Sequence, residues 1–191
     1  MPNWCNTAYT LVGDKEELDA LHKTMSELEQ SNQPVEPFHF GNTWLGNLVK
    51  ALGGDTKDIP CRGEWHDLDY LGGAITFNTD TAWSPCNGVW DLVRQRYPSI
   101  DYYYLAEECG NGLYLTNDTE GLHYPERYLV EMCVDGCENR TEYFYSLPEA
   151  LGWIGEMAGC SVEENGVEAL NELLQEQNED AYCYLNEIQI V

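Results

Sequence analysis

An α+β sandwich, one sheet with helices on one face, is the fold class the sequence predicts for most of the chain. Three stretches predict it. Trp4 to Val12 alternates as a half-buried strand does, with Trp4, Asn6, Ala8 and Thr10 on one side and Cys5, Thr7, Tyr9 and Leu11 on the other. Thr76 to Pro98 runs from the end of a strand through a tight turn into a helix. Ile100 to Glu107 and Gly112 to Asn117 form an aromatic-rich hairpin around Gly110 and Asn111. The order strand, helix, insert, strand, helix, strand, strand then yields one antiparallel or mixed sheet with its helices packed together.

Taken in order, Gly13 ends the first strand, and Asp14 with Glu17 makes a capping-box-like start to a helix. Leu18, Leu21, Met25 and Leu28 recur at helical spacing through about Gln30. Ser31 to Phe40 is polar, holds Pro34 and Pro37, and reads as a loop. Trp44, Leu45, Leu48, Val49 and Leu52 predict a short inserted helix near 43–52, closed by Gly53 and Gly54. Asp55 to Asp69 reads as irregular and Tyr70 to Asn78 as the second long strand, with a polar break at Asn78 to Thr81. Ser84 is the expected N-cap of the next helix and Pro85 its first residue, because proline lacks an N–H that the first turn cannot use. Val89, Trp90, Val93 and Tyr97 form its apolar stripe, Pro98 stops it, and Trp83 is expected to pack at the turn.

Two motifs, Pro2-Asn3-Trp4-Cys5-Asn6 and Thr79-Asp80-Thr81-Ala82-Trp83-Ser84-Pro85, together with the aromatic hairpin, resemble the YubB ferredoxin-like domain family of phages, plasmids and other mobile elements. The resemblance covers roughly residues 1–118. It implies a ferredoxin-like sheet and no established activity. Cys86 stands where the family often has a second proline, and a short strand within Cys61 to Asp69 is needed to complete the ferredoxin-like set.

Thr119 to Glu126 reads as a linker, and residues 119–191 as a smaller C-terminal ββααβ unit. Tyr128 to Val134 and Arg140 to Tyr145 are expected strands about Asp135-Gly136. Capping boxes Ser146/Glu149 and Ser161/Glu164 are expected to open two helices, Gly159 to stop the first, and Tyr182 to Val191 to close the unit as a strand.

Composition restricts function more than any motif does. Nine Lys and Arg against 34 Asp and Glu leave a net charge of −25 on 191 residues, which repels nucleic-acid phosphates and anionic lipid and favours basic protein partners. Forty-three per cent apolar residues argue for a folded core despite that charge. No stretch approaches the roughly 18 uninterrupted apolar residues of a membrane span, and no charged segment followed by an apolar one opens the chain. A cytoplasmic protein is expected, its eight scattered cysteines reduced.

The chemistry-bearing clusters are thin. Cys133 and Cys137 flank a turn and, with His123 or Cys160, raise a soft-metal site; one pair at this spacing reads as ordinary thiols. His66, Asp67 and Asp69, with Asp80, raise a cation or acid–base site, against the simpler reading of a solvated polar loop. Pro2, if exposed as an N-terminal secondary amine, raises a tautomerase-like base, but such sites need nearby cations, of which this chain has few, so strand entry is its reading. Trp4, Trp65, Trp83, Trp90 and Tyr102 to Tyr104 are read as core and turn packing, since base-stacking platforms also carry Lys and Arg. No nucleophile motif, phosphate loop or cofactor signature is present, so a non-catalytic binding protein without cofactor is expected.

Residues 119–191 carry 2 Lys plus Arg against 16 Asp plus Glu. Glu163, Glu164, Glu168, Glu172, Glu176 and Glu179 recur at threes and fours, a spacing that lines carboxylates along one helix face. That face is the candidate surface for a basic, nucleic-acid-binding host protein whose DNA site it would imitate. Simple solubility is the alternative.

Overall fold

The computed structural model describes residues 2–31, 40–136 and 138–191, so the expected loop at 32–39 and Cys137 lie outside the described residues. The chain divides into two compact units, Met1–Asn117 and Asp118–Val191. Among the described residues, no helix is long and apolar enough to cross a membrane.

The first unit is built on β1 (Trp4–Val12), which pairs antiparallel with both β3 (Ala74–Ala82) and β4 (Asp101–Glu108). With β2 (Gly63–Leu71) and β5 (Leu113–Thr116), its strands run in the order β2-β3-β1-β4-β5, each pair antiparallel. Helices α1 (Lys15–Glu29), α2 (Leu45–Ala51) and α3 (Asn87–Arg96) contribute Leu18, Leu21, Met25, Leu45, Leu48, Val89, Trp90 and Val93 to the core. The inward side of β1 supplies Cys5, Tyr9 and Leu11. At its centre the Tyr9 ring stacks on Phe77 at 5.2 Å and lies 5.0 Å from Trp90, while its hydroxyl donates to Asn87 Oδ1 at 2.9 Å. One side chain thereby joins the middle of the sheet to the start of α3.

Four local expectations are corrected here. The residues expected as one strand, Tyr70 to Asn78, belong to two, because Gly72 and Gly73 both take positive φ (63° and 87°) and reverse the chain. Two consecutive left-handed residues match the twist of a tight hairpin, which glycine enters without a Cβ clash. The segment expected as irregular therefore contains β2, and β3 continues through the expected polar break to Ala82. The third correction is to α3, which begins at Asn87 with Cys86 in the N-cap position, so Ser84 does not cap it. Its backbone carbonyl instead accepts from the Thr81 hydroxyl at 2.9 Å. The fourth concerns Trp83, which has φ 74° and is 50% exposed, not packed in the turn; Trp4 is likewise 45% exposed, whereas Trp65 and Trp90 are buried.

In the second unit β6 (Tyr128–Cys133) lies between β7 (Arg140–Phe144) and β8 (Tyr182–Glu187), antiparallel to both. Helices α4 (Leu147–Ala158) and α5 (Val167–Gln177) close a small core of Val130, Met132, Ala150, Ile154, Val167, Leu174 and Cys183. Gly159 stops α4 with φ 68°, as expected. The expected closing strand is broken at buried Ile188, with β9 (Gln189–Ile190) beyond it.

The capping boxes did not form. Asp14 and Ser146 occupy N-cap positions without side-chain cap bonds, and Glu17 accepts instead from the Ser99 amide and hydroxyl at 2.8 and 2.7 Å. Ser161 and Glu164 start no α-helix, since α5 begins at Val167 after Gly166. The expected single helix of glutamates is shorter than the spacing suggested: Glu168, Glu172 and Glu176 share an exposed face of α5, while Glu163, Glu164 and Glu179 lie outside it. The expected linker is a folded loop. Buried Asp118 accepts from the amides of Gly121, His123 and Tyr124 at 3.0, 2.6 and 2.9 Å.

Candidate functional site

The two sequence motifs are partners in the sheet. Register pairs Trp4 with Ala82, Cys5 with Thr81 and Asn6 with Asp80 across β1 and β3. Strict alternation then sends Cys5 and Thr81 into the core and leaves Trp4, Asn6, Asp80 and Ala82 on the opposite, more open side. Inside, the Thr81 hydroxyl lies 3.4 Å from the Cys5 carbonyl, and outside, Asn6 Nδ2 donates to Asp80 Oδ1 at 3.1 Å. Beyond the paired residues the Asn3 carbonyl accepts from the Trp83 amide at 2.9 Å; Pro85 is half-buried ahead of α3.

On the other flank of β3, β2 brings Glu64 directly opposite Asp80 and His66 opposite Asn78. The register of β2 shifts between His66 and Asp69, and at this bulge Asp67 takes φ 55°, a left-handed conformation that non-glycine residues seldom adopt. The bulge turns the Asp67 carboxylate back on its neighbour. Asp67 Oδ2 lies 2.7 Å from His66 Nδ1 and accepts from Asn78 Nδ2 at 3.3 Å. Because a carboxylate at this position only accepts, Nδ1 carries the proton. The bond from His66, reinforced by Asn78, holds the Asp67 carboxyl below its usual range. His66 Nε2, an atom shielded from solvent, makes no hydrogen bond among the described residues and stands 3.4 Å from Asp80 Oδ2.

The sheet therefore brings His66, Asp67 and Asp80 together, as the sequence suggested, but leaves Asp69 out: its carboxylate accepts from the neighbouring Tyr70 amide at 2.7 Å. Among the described residues, no group of three or more His, Cys, Asp or Glu is arranged to hold a metal ion. Cys133 is buried and Cys160 exposed, both as free thiols. Burial pushes the thiols of Cys5, Cys61 and Cys86 up, Cys86 to about 11, so these cysteines are protonated and poorly nucleophilic at neutral pH.

Two cavities are lined by carboxylates with no Lys or Arg among their described lining residues. In the first unit, one of about 280 Å³ is lined by Trp4, Phe40, Glu64 and Asp80, with the Trp4 and Phe40 rings crossed at 88° and 5.9 Å apart. In the second unit, one of about 520 Å³ is lined by Glu164, Glu168 and Glu187 together with Tyr128, Asn171 and Tyr184. Of the glutamates singled out by spacing, Glu164 and Glu168 reach this cavity, and Glu163, Glu172, Glu176 and Glu179 do not line it. Pro2 lines neither. Sequence reasoning missed Glu64, Phe40 and Glu187. Glu64 was signalled by the polar, apolar, polar run Glu64-Trp65-His66, and Phe40 by nothing local.

Comparisons with protein-family models, with characterised proteins and with solved structures found no match to this chain.

Proposed function

We propose that the chain is a non-catalytic interaction protein whose partner is a basic protein, taken on the acidic side of the C-terminal unit. One observation carries this reading: Glu164, Glu168 and Glu187 converge on one cavity, while both arginines of that unit are engaged elsewhere. Arg127 donates to the carbonyls of Tyr124, Glu126 and Asp118 at 2.7 to 2.9 Å, and Arg140 pairs with Glu138 at 2.7 Å. Tyr128 and Tyr184 supply rings beside the carboxylates, the combination that takes a cationic side chain best. A nucleic-acid-binding host protein is the partner class such a surface fits, because its DNA site already meets dense negative charge.

The ferredoxin-like reading of the first unit is supported by the strand order β2-β3-β1-β4, by α1 and α3 as the two crossover helices, and by β2, which supplies the strand that this label requires. A relationship to the YubB family and to mobile elements rests on the two motifs and the aromatic hairpin alone.

The test is affinity capture from host lysate at low salt, repeated near 1 M salt, where the Debye length falls from about 10 Å to about 3 Å. A basic protein should be captured, lost at high salt, and lost at low salt with Glu164→Lys/Glu168→Lys/Glu187→Lys. Capture that ignores both changes, or enriches nothing basic, overturns the reading.

A second reading, acid–base catalysis at His66, is favoured by the Asp67 carboxylate that fixes the Nδ1 proton at a strained bulge. Turnover in a screen of proton-transfer and hydrolytic substrates that disappears in His66→Gln would establish it.

A further inference from the structure

We propose that the cavity between Trp4, Phe40, Glu64 and Asp80 is a second binding site, for the side-chain ammonium of a lysine on a partner protein. Its residues all belong to the first unit. The argument starts from an electrostatic cost. Glu64 and Asp80 stand directly opposite each other on paired strands, and like charges so placed destabilise a sheet. Among the described residues neither carboxylate has a Lys or Arg partner: Glu64 Oε2 accepts from the Thr43 hydroxyl at 3.3 Å, and Asp80 meets Asn6 and His66. No lysine or arginine of the described residues neutralises the pair.

The apolar walls say which kind of cation suits it. Trp4 and Phe40 both line the cavity, at right angles to each other, and Trp4 keeps nearly half its surface open although nothing in the strand pattern requires an indole there. An aromatic lining beside carboxylates suits an organic cation, which gains from the ring quadrupole and from desolvation of its alkyl stem, and suits a hydrated metal ion poorly. Among organic cations, a primary ammonium offers three N–H donors from a single compact centre, enough for both carboxylates, whereas the planar fork of a guanidinium is matched by one carboxylate at a time. About 280 Å³ is at the lower edge of cavities that hold small-molecule ligands and suits the end of one side chain. Assigning the occupant to a protein rests on the interaction reading above; the preference for an ammonium group does not.

The test uses the full-length, 15N-labelled protein and four probes: the peptide acetyl-Gly-Gly-Lys-Gly-Gly-amide, its norleucine and arginine counterparts, and choline chloride. The lysine peptide should shift the Trp4 indole and the Glu64 and Asp80 amide signals saturably, and the norleucine peptide should leave them unmoved. Glu64→Gln and Asp80→Asn, which keep side-chain shape, should each weaken binding about ten-fold, and Trp4→Ala about five-fold with recovery in Trp4→Phe. Unchanged β4 amide signals in each variant exclude unfolding as the cause. Glu164→Lys/Glu168→Lys should leave lysine-peptide binding intact, which separates this site from the C-terminal cavity; loss of binding in that variant assigns the effect there and overturns the proposal. Equal shifts from norleucine, tighter binding of arginine, or binding of choline in place of the lysine peptide each overturn it as well.

Discussion

Asn6 and Asp80 face each other across β1 and β3, and Asn6 Nδ2 donates to Asp80 Oδ1 at 3.1 Å. The same carboxylate faces Glu64 on its other side, so Asn6 is the neutral member of a row that already holds two acids. Asn6→Asp would put a third carboxylate in the row. It is expected to cost about 0.5 kcal/mol at low salt, with most of the loss recovered in 1 M salt. Urea midpoints at the two salt concentrations measure it, and a salt-independent loss would contradict the electrostatic account.

Ser84 and Thr81 separate two accounts of the turn before α3. If Ser84 capped the helix, Ser84→Ala would cost about 1 kcal/mol. With the helix starting at Asn87, the expected cost is within about 0.5 kcal/mol. Thr81→Val removes the buried hydroxyl that donates to the Ser84 carbonyl and should cost about 1 kcal/mol or more. Equilibrium denaturation of the pair ranks them, and a larger loss from Ser84→Ala would reverse the assignment.

Tyr9→Phe keeps the ring in its stack with Phe77 and Trp90 but deletes the hydroxyl that reaches Asn87. A loss of about 1 kcal/mol is expected, because Asn87 Oδ1 is left without that donor in a part-buried setting. Tyr9→Ala should cost about 3 kcal/mol or more through the cavity it leaves. If Tyr9→Phe is neutral, the link between sheet and helix resides in the ring alone.

Asp118 makes the stability of the second unit depend on pH. Burial pushes its carboxyl up, but the amides of Tyr124, His123, Leu122 and Gly121 outweigh burial and hold it below the usual range. A carboxyl lowered by folding stabilises the folded state fully above the unfolded value of about 3.9, and that contribution disappears as pH falls through the lower folded value. The second unit should therefore lose stability as the pH is lowered from about 5 towards 2, and Asp118→Asn should be less stable by about 2 kcal/mol at neutral pH with a flatter acid limb. Trp153, the single tryptophan of this unit, reports the transition by fluorescence.

Much of the local structure was legible in the residues themselves. The apolar spacing of Leu18, Leu21, Met25 and Leu28 marked α1, strict alternation marked β1, Gly159 marked the end of α4, and the run around Gly110 and Asn111 marked the β4–β5 hairpin. These signals are short-range: they depend on residues within one or two turns, or on consecutive residues of one strand, and the backbone reads them without a distant partner. The net charge is likewise a property of composition. Only the tertiary structure decided that Gly63–Leu71 is a strand, because its bulge at Asp67 breaks the alternation and its ladder forms only against β3. Only the register of β1 against β3 joined Asn6 to Asp80, residues separated by 74 positions, and only the register of β2 against β3 set Glu64 beside them. The exposed indoles of Trp4 and Trp83 were decided at the same level, since an aromatic residue is buried or displayed according to what packs over it, not according to its own hydrophobicity.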